Sequence, residues 1–218
     1  MARNILVTAI LVGLLATSAS ASLIVQNGGF TVGGLASLDD WTVTTCGPSC
    51  ATYEWTAAAD SALPAMSVTP PPSGNPNAAY TGCSGEACSD GTPANSISQT
   101  LTTVAGTTYT LTFFSNPGGH PGIPSIPTEL DVYWGGTLIG DLYDQPTGWT
   151  EESYTVTATG TSTALSFTGR DDQSFILLTD VSVTPQDQTV PEPLSLTLIG
   201  SGLLGLGGVR RILGRRKI

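Results

Sequence analysis

Positive charge is almost missing from the middle of this 218-residue chain. Between Ser22 and Val190 the one basic residue is Arg170; the others are Arg3 and a terminal group of Arg210, Arg211, Arg215, Arg216 and Lys217. Sixteen acids face that single arginine, which leaves this stretch a net charge of −15. A body so anionic repels nucleic acid and anionic membrane surfaces. Histidine is as scarce. His120 stands alone in a proline-rich stretch, so a nucleophile paired with a histidine base is disfavoured. Gly33-Gly34 and Gly118-Gly119 lack the following helix and lysine of a phosphate-binding loop. Glycoside hydrolysis needs only two carboxylates. Among sixteen acids, however, pairs such as Asp39-Asp40 and Glu151-Glu152 are expected and carry no weight. The sequence reads as that of a non-enzyme.

Long amphipathic runs are also absent, and what replaces them is a two-residue period. Tyr109-Thr-Leu-Thr-Phe113 puts its apolar residues on one face and its threonines on the other. Leu130-Asp-Val-Tyr-Trp134, Tyr154-Thr-Val-Thr-Ala158, Leu165-Ser-Phe167 and Val181-Ser-Val183 repeat the pattern. Strands with one buried and one wet face belong to antiparallel sheets. Gly106, Gly135-Gly136, Pro146-Thr-Gly148 and Gly160 punctuate them at hairpin spacing. These features predict an all-β, two-sheet antiparallel sandwich over residues 22–184. The stretches Thr69–Asn77 and Asn116–Pro127 carry too much proline and glycine for ladder pairing and read as surface loops.

Continuous hydrophobic runs occur only at the two ends. Arg3, the apolar run Ile5–Ala16 and the small residues Ala19-Ser20-Ala21 predict a secretory signal peptide over 1–21, cut by signal peptidase. At the other end, residues 185–189 form a linker beginning at Pro185, and Leu194–Val209 is uncharged. That span approaches the lower limit of about 17 residues for a transmembrane helix. The cations Arg210, Arg211, Arg215, Arg216 and Lys217 on its far side mark a cytoplasmic tail over 210–218. The body is therefore expected outside the inner membrane. In that oxidising compartment Cys46, Cys50, Cys83 and Cys88 are read as disulfides rather than as a zinc site. Three connectivities are open, and the local pairs Cys46–Cys50 and Cys83–Cys88 are preferred.

Val190-Pro191-Glu192-Pro193, followed at once by the apolar span and the arginine-rich end, resembles the PEP-CTERM sorting signal, here residues 190–218. The resemblance implies a Gram-negative bacterium that makes extracellular polysaccharide and an exosortase that recognises Pro191, Glu192 and Pro193. It also implies a transient stay in the inner membrane before the protein reaches the envelope, cell surface or extracellular matrix. The body resembles galactose-binding-like jelly rolls and carbohydrate-binding modules in three places. These are Val25-Gln-Asn-Gly-Gly-Phe30 with Trp41, Ser98–Phe113, and Phe175-Ile-Leu-Leu-Thr-Asp-Val-Ser-Val183.

That likeness implies a jelly roll, an exopolysaccharide partner, and a structural calcium between the first and last strands, with Asp180 as the matching ligand. The family's other two acids are Thr31 and Thr179 here, which puts the calcium in doubt; Asp171 and Asp172 are an alternative pair. Aromatic platforms for sugar are sought among Trp41, Trp55, Trp134, Trp149, Tyr53, Tyr80 and Tyr143, with core packing favoured for each tryptophan. The expected function is that of a non-catalytic, exported structural or glycan-associating protein. The alternative is a small polysaccharide-active hydrolase or lyase on the same fold.

Overall fold

The structure is a computed structural model, and it describes residues 24–45, 54–59, 71–82, 95–118, 128–171 and 174–186. The signal peptide, the four cysteines, His120, Tyr53, Asp172 and the sorting signal lie outside these residues. Twelve strands make up the described chain: β1 (Thr31–Val32), β2 (Leu35–Ala36), β3 (Thr42–Thr44), β4 (Thr56–Ala59), β5 (Asn77–Gly82) and β6 (Asn95–Thr102) come first. They are followed by β7 (Thr108–Gly118), β8 (Glu129–Trp134), β9 (Thr137–Tyr143), β10 (Thr150–Thr157), β11 (Ser162–Arg170) and β12 (Phe175–Pro185). No helix occurs among the described residues, so none there could cross a membrane.

Two five-stranded antiparallel sheets form the sandwich, in the orders β10-β7-β12-β5-β4 and β3-β6-β11-β8-β9, with β1 and β2 as a separate hairpin. The two-residue period explains the layering. Leu111 and Phe113 of β7, Leu130 and Val132 of β8, and Leu165 and Phe167 of β11 are all fully buried between the sheets. Phe113 meets Phe167 edge-on at 5.1 Å, and Trp41 leans on Phe167 at 6.2 Å. Trp134 is fixed as well, donating its indole N–H to the Thr157 carbonyl across the sandwich at 3.0 Å.

Gly135 and Gly136 take φ of +58° and +82° between β8 and β9. Trp134 therefore pairs directly with Thr137, as a two-residue hairpin turn with both centres left-handed requires. The sequence expectation fails at two loop boundaries: Asn77 opens β5 and pairs with Ala59 of β4, and the second lies at the end of β7. Asn116-Pro117-Gly118 belongs to β7, and Pro117 pairs with Ile176 of β12. The partner strand β10 has already ended opposite Ser115. Pro117 therefore has a strand on one side only, where a residue without an N–H is tolerated.

Candidate functional site

Strand register decides what the wet faces carry. On the outside of β3-β6-β11-β8-β9, Thr44, Ser96, Thr168, Asp131 and Asp141 fall opposite one another in a single row. A second row runs Thr42, Ser98, Ser166 and Tyr133. At the end of the sheet, Arg170 faces Glu129, which faces Tyr143. Ser96, Ser98, Ser166, Thr168 and Tyr133 are half-buried although they point away from the core. Asp131 is buried, and Tyr143 is exposed.

The carboxylates of Glu129, Asp131 and Asp141 lie within 4.8 Å of one another. The Tyr133 phenol donates to Asp131 Oδ2 at 2.9 Å. Burial pushes the Glu129 carboxyl above the usual carboxylate range; the negative charges of Asp131 and Asp141 add to this, and Arg170 partly opposes it. Burial also raises Asp131, partly offset by the Tyr133 hydrogen bond, with Asp141 adding to the rise. Accepting that hydrogen bond from Tyr133 makes the phenol harder to ionise, so its pKa is raised too. Chemically, this is a field of hydroxyls and carboxylates with one half-buried and one exposed tyrosine ring. It can accept and donate several hydrogen bonds to a polyhydroxylated ligand lying across the strands.

The tryptophans separate as expected at three positions. Trp41, Trp55 and Trp134 are core, and the Trp55 indole N–H donates to the Asn95 carbonyl at 3.0 Å. Trp149 is half-buried on the outside of the other sheet. There it packs with Tyr80 and Phe175 around the fully buried Leu177 and Ala78, and the Tyr80 and Phe175 rings meet edge-on at 5.4 Å. An uncharged cleft of about 620 Å³ opens along the sandwich rim, lined by Trp134, Ile139, Val156 and several threonines. Sequence reasoning missed Glu129, Asp131, Tyr133 and Asp141. The signal was present, since the alternation of Leu130, Val132 and Trp134 puts 129, 131 and 133 on the wet face. Asp141 joins them only through the register of the β8-β9 hairpin, in which a bulge skips Ile139 and brings Asp141 opposite Asp131.

Asp180, the residue expected to hold calcium, lies in a left-handed bulge of β12 with φ +53°. Its Oδ1 accepts from the Asn75 amide at 2.9 Å, and its Oδ2 accepts from the Ser73 hydroxyl. The same Asn75 nitrogen donates to the Gly29 carbonyl at 2.9 Å and to Thr179 Oγ1 at 3.0 Å. Thr31 and Thr179, standing where the sequence resemblance led acids to be expected, are both hydrogen-bonded to asparagine. Asn77 Nδ2 donates to Thr31 Oγ1 at 2.7 Å, and Thr179 donates to the Asn77 carbonyl at 2.8 Å. Calcium takes six to eight oxygens. This joint offers one carboxylate, which already accepts hydrogen bonds from Asn75 and Ser73, and the donor set does not fit calcium. Asp171, of the alternative pair, is buried directly after β11 rather than lying in a solvated turn.

No family model and no curated protein matches the chain. Solved structures do. The enzymatically active domain of tailspike protein 4 from bacteriophage CBA120 superposes with a TM-score of 0.50 at 11% identity, over 75% of this chain and 21% of that one. The carbohydrate-binding module TmCBM61, solved with β-1,4-galactotriose, gives a TM-score of 0.43 at 13% identity, over 76% of this chain and all of that one. The CBM22-1 xylan-binding domain from Paenibacillus barcinonensis gives 0.43 at 15% identity, over 78% and 97%. The chain thus spans about a fifth of the tailspike domain. At 11% identity the tailspike superposition bears on the fold alone, an antiparallel β-sandwich.

The raised carboxyls set a pH dependence. The folded protein holds protons on Glu129 and Asp131 that the unfolded chain releases, so stability falls as pH rises through the ordinary carboxylate range into the raised values. Asp131→Asn keeps an acceptor for Tyr133 and removes the buried charge. Its melting temperature is expected above wild type at neutral pH, with the gap closing below about pH 4. Thermal melts across pH check this, and a gap of constant size at every pH would contradict it.

Proposed function

We propose that this is an exported glycan-associating protein without catalytic activity, which binds neutral polysaccharide across the outer face of β3-β6-β11-β8-β9. The observation that carries this reading is the register-aligned field of Ser, Thr and carboxylate groups around Tyr133. Carboxylates and hydroxyls satisfy sugar hydroxyls, and a tyrosine ring offers a flat apolar surface to the C–H face of a pyranose. With three acids and one arginine at that end of the face, a uronic-acid polymer would be repelled, which selects neutral chains.

The hydrolase or lyase reading is weaker on geometry. Hydrolysis places two carboxyls on either side of a scissile bond. Glu129, Asp131 and Asp141 instead all rise from one face of one sheet. Release of reducing ends or unsaturated sugars from the producer's own exopolysaccharide would reverse this preference. Export and sorting rest on the sequence. Signal peptidase acts after residue 21, and exosortase recognises Pro191-Glu192-Pro193 and delivers the body to the envelope or polysaccharide matrix.

Affinity electrophoresis in gels containing neutral polysaccharides tests the binding. Retardation of the wild-type protein is expected, and Tyr133→Ala should weaken it on the order of tenfold, the effect of losing roughly 1.4 kcal/mol. Equal retardation of the two proteins would remove this face as the site. Replacing Pro191, Glu192 and Pro193 together by alanine should trap an uncleaved, membrane-bound form. Unchanged release would refute the sorting assignment.

A further inference from the structure

We infer that the carboxamide of Asn75 does the work of a structural cation at the joint between the first segment and the last strand, which makes the fold independent of calcium. The sequence resemblance implies an ion that gathers oxygens from those two elements. Here one amide nitrogen gathers them. Asn75 Nδ2 lies 2.9–3.0 Å from the Gly29 carbonyl, Thr179 Oγ1 and Asp180 Oδ1, which belong respectively to the first segment, β12 and the bulge of β12. The Asn77 backbone N–H donates to Asn75 Oδ1 at 3.1 Å. That bond fixes which end of the amide faces the oxygens, so the positive end of its dipole is the one turned inward.

The surroundings are arranged for a neutral donor. Replacing two acids by Thr31 and Thr179 lowers the negative charge that a divalent ion would otherwise have to balance. Each threonine also passes its own proton on, Thr31 to the Gly29 carbonyl at 3.0 Å and Thr179 to the Asn77 carbonyl at 2.8 Å. Asp180 takes hydrogen bonds from Asn75 and Ser73 in place of metal bonds. Gly29 permits the approach, because a Cβ there would lie 2.9 Å from Asn75 Nδ2. Gly28 permits the contact behind it, because a Cβ there would meet the Val181 carbonyl oxygen at 1.9 Å.

Melting temperature and metal content of the whole protein test the inference. Wild-type protein should melt at one temperature in EDTA and in excess calcium, and carry no stoichiometric calcium by atomic emission. Asn75→Ala should melt roughly 5 °C lower in either condition, since about 1 kcal/mol per lost hydrogen bond moves a domain of this size by a few degrees. Asn75→Asp is the decisive variant. It sets a second carboxylate beside Asp180, so it should be destabilised in EDTA and recover on adding calcium. A wild-type melting temperature that falls in EDTA and returns with calcium would overturn the inference. So would an Asn75→Ala protein that melts with wild type. Because the readout is stability, its failure leaves the glycan-binding face untouched.

Discussion

The sandwich depends on how its last strand changes face. β12 pairs with β7 on one side and β5 on the other, and both of its halves must feed the core. Ile176 and Leu178 point inward, as do Val181 and Val183, but Leu178 and Val181 are three residues apart. A strict two-residue period cannot bury both. The register shift between Thr179 and Ser182 resolves the conflict; Asp180 takes a left-handed φ and swings its carboxylate out of the sheet. Two further contacts follow. The Val181 N–H donates to the Gly28 carbonyl at 2.9 Å, and Asp180 becomes available to Asn75 and Ser73. The first segment is thus held to the last strand by the bulge that repairs the core.

That segment also ties the two sheets together. Asn27 directs its side-chain N–H groups at the Ser37 and Asp39 carbonyls, and its own carbonyl accepts from the Trp41 indole. Gln99, on β6 of the opposite sheet, exchanges hydrogen bonds with the backbone of Gln26 at 2.8 and 2.9 Å. Phe30 is fully buried despite a φ of +50°, packed against Trp41 at 5.4 Å. A bulky residue held in that conformation stores strain that surrounding bonds must offset. The hydroxyls and carboxylates on the wet face of β3-β6-β11-β8-β9 are placed by strand register rather than by loops.

Much of this fold was legible because burial follows parity. The alternations at Tyr109–Phe113, Leu130–Trp134 and Leu165–Phe167 each name their own core residues. The outer face of β3-β6-β11-β8-β9 was legible only in pieces. Parity puts Asp131 and Tyr133 outside, but bringing Ser96 and Thr168 into the same row needs the pairing of β6 with β11, more than sixty residues apart, which no local pattern encodes. Asn75 was hidden for another reason. Its stretch, rich in proline and glycine, reads as surface loop, and the partners that give it a role come from residues 29 and 179–180. The Asp180 match pointed to this joint, but the hydrogen bonds that Thr31 and Thr179 make to the asparagines beside them are visible only in the structure.

An acidic body with one arginine and a wet face of hydroxyls and carboxylates supports the proposed reading, in which polymer is held and not cut. The most direct measurement is a calorimetric titration of the protein with soluble neutral oligosaccharides, followed by analysis of the recovered sugar. Saturable binding with the sugar returned intact is the predicted result. No heat with any neutral oligosaccharide, or recovery of shortened or unsaturated products, would contradict it.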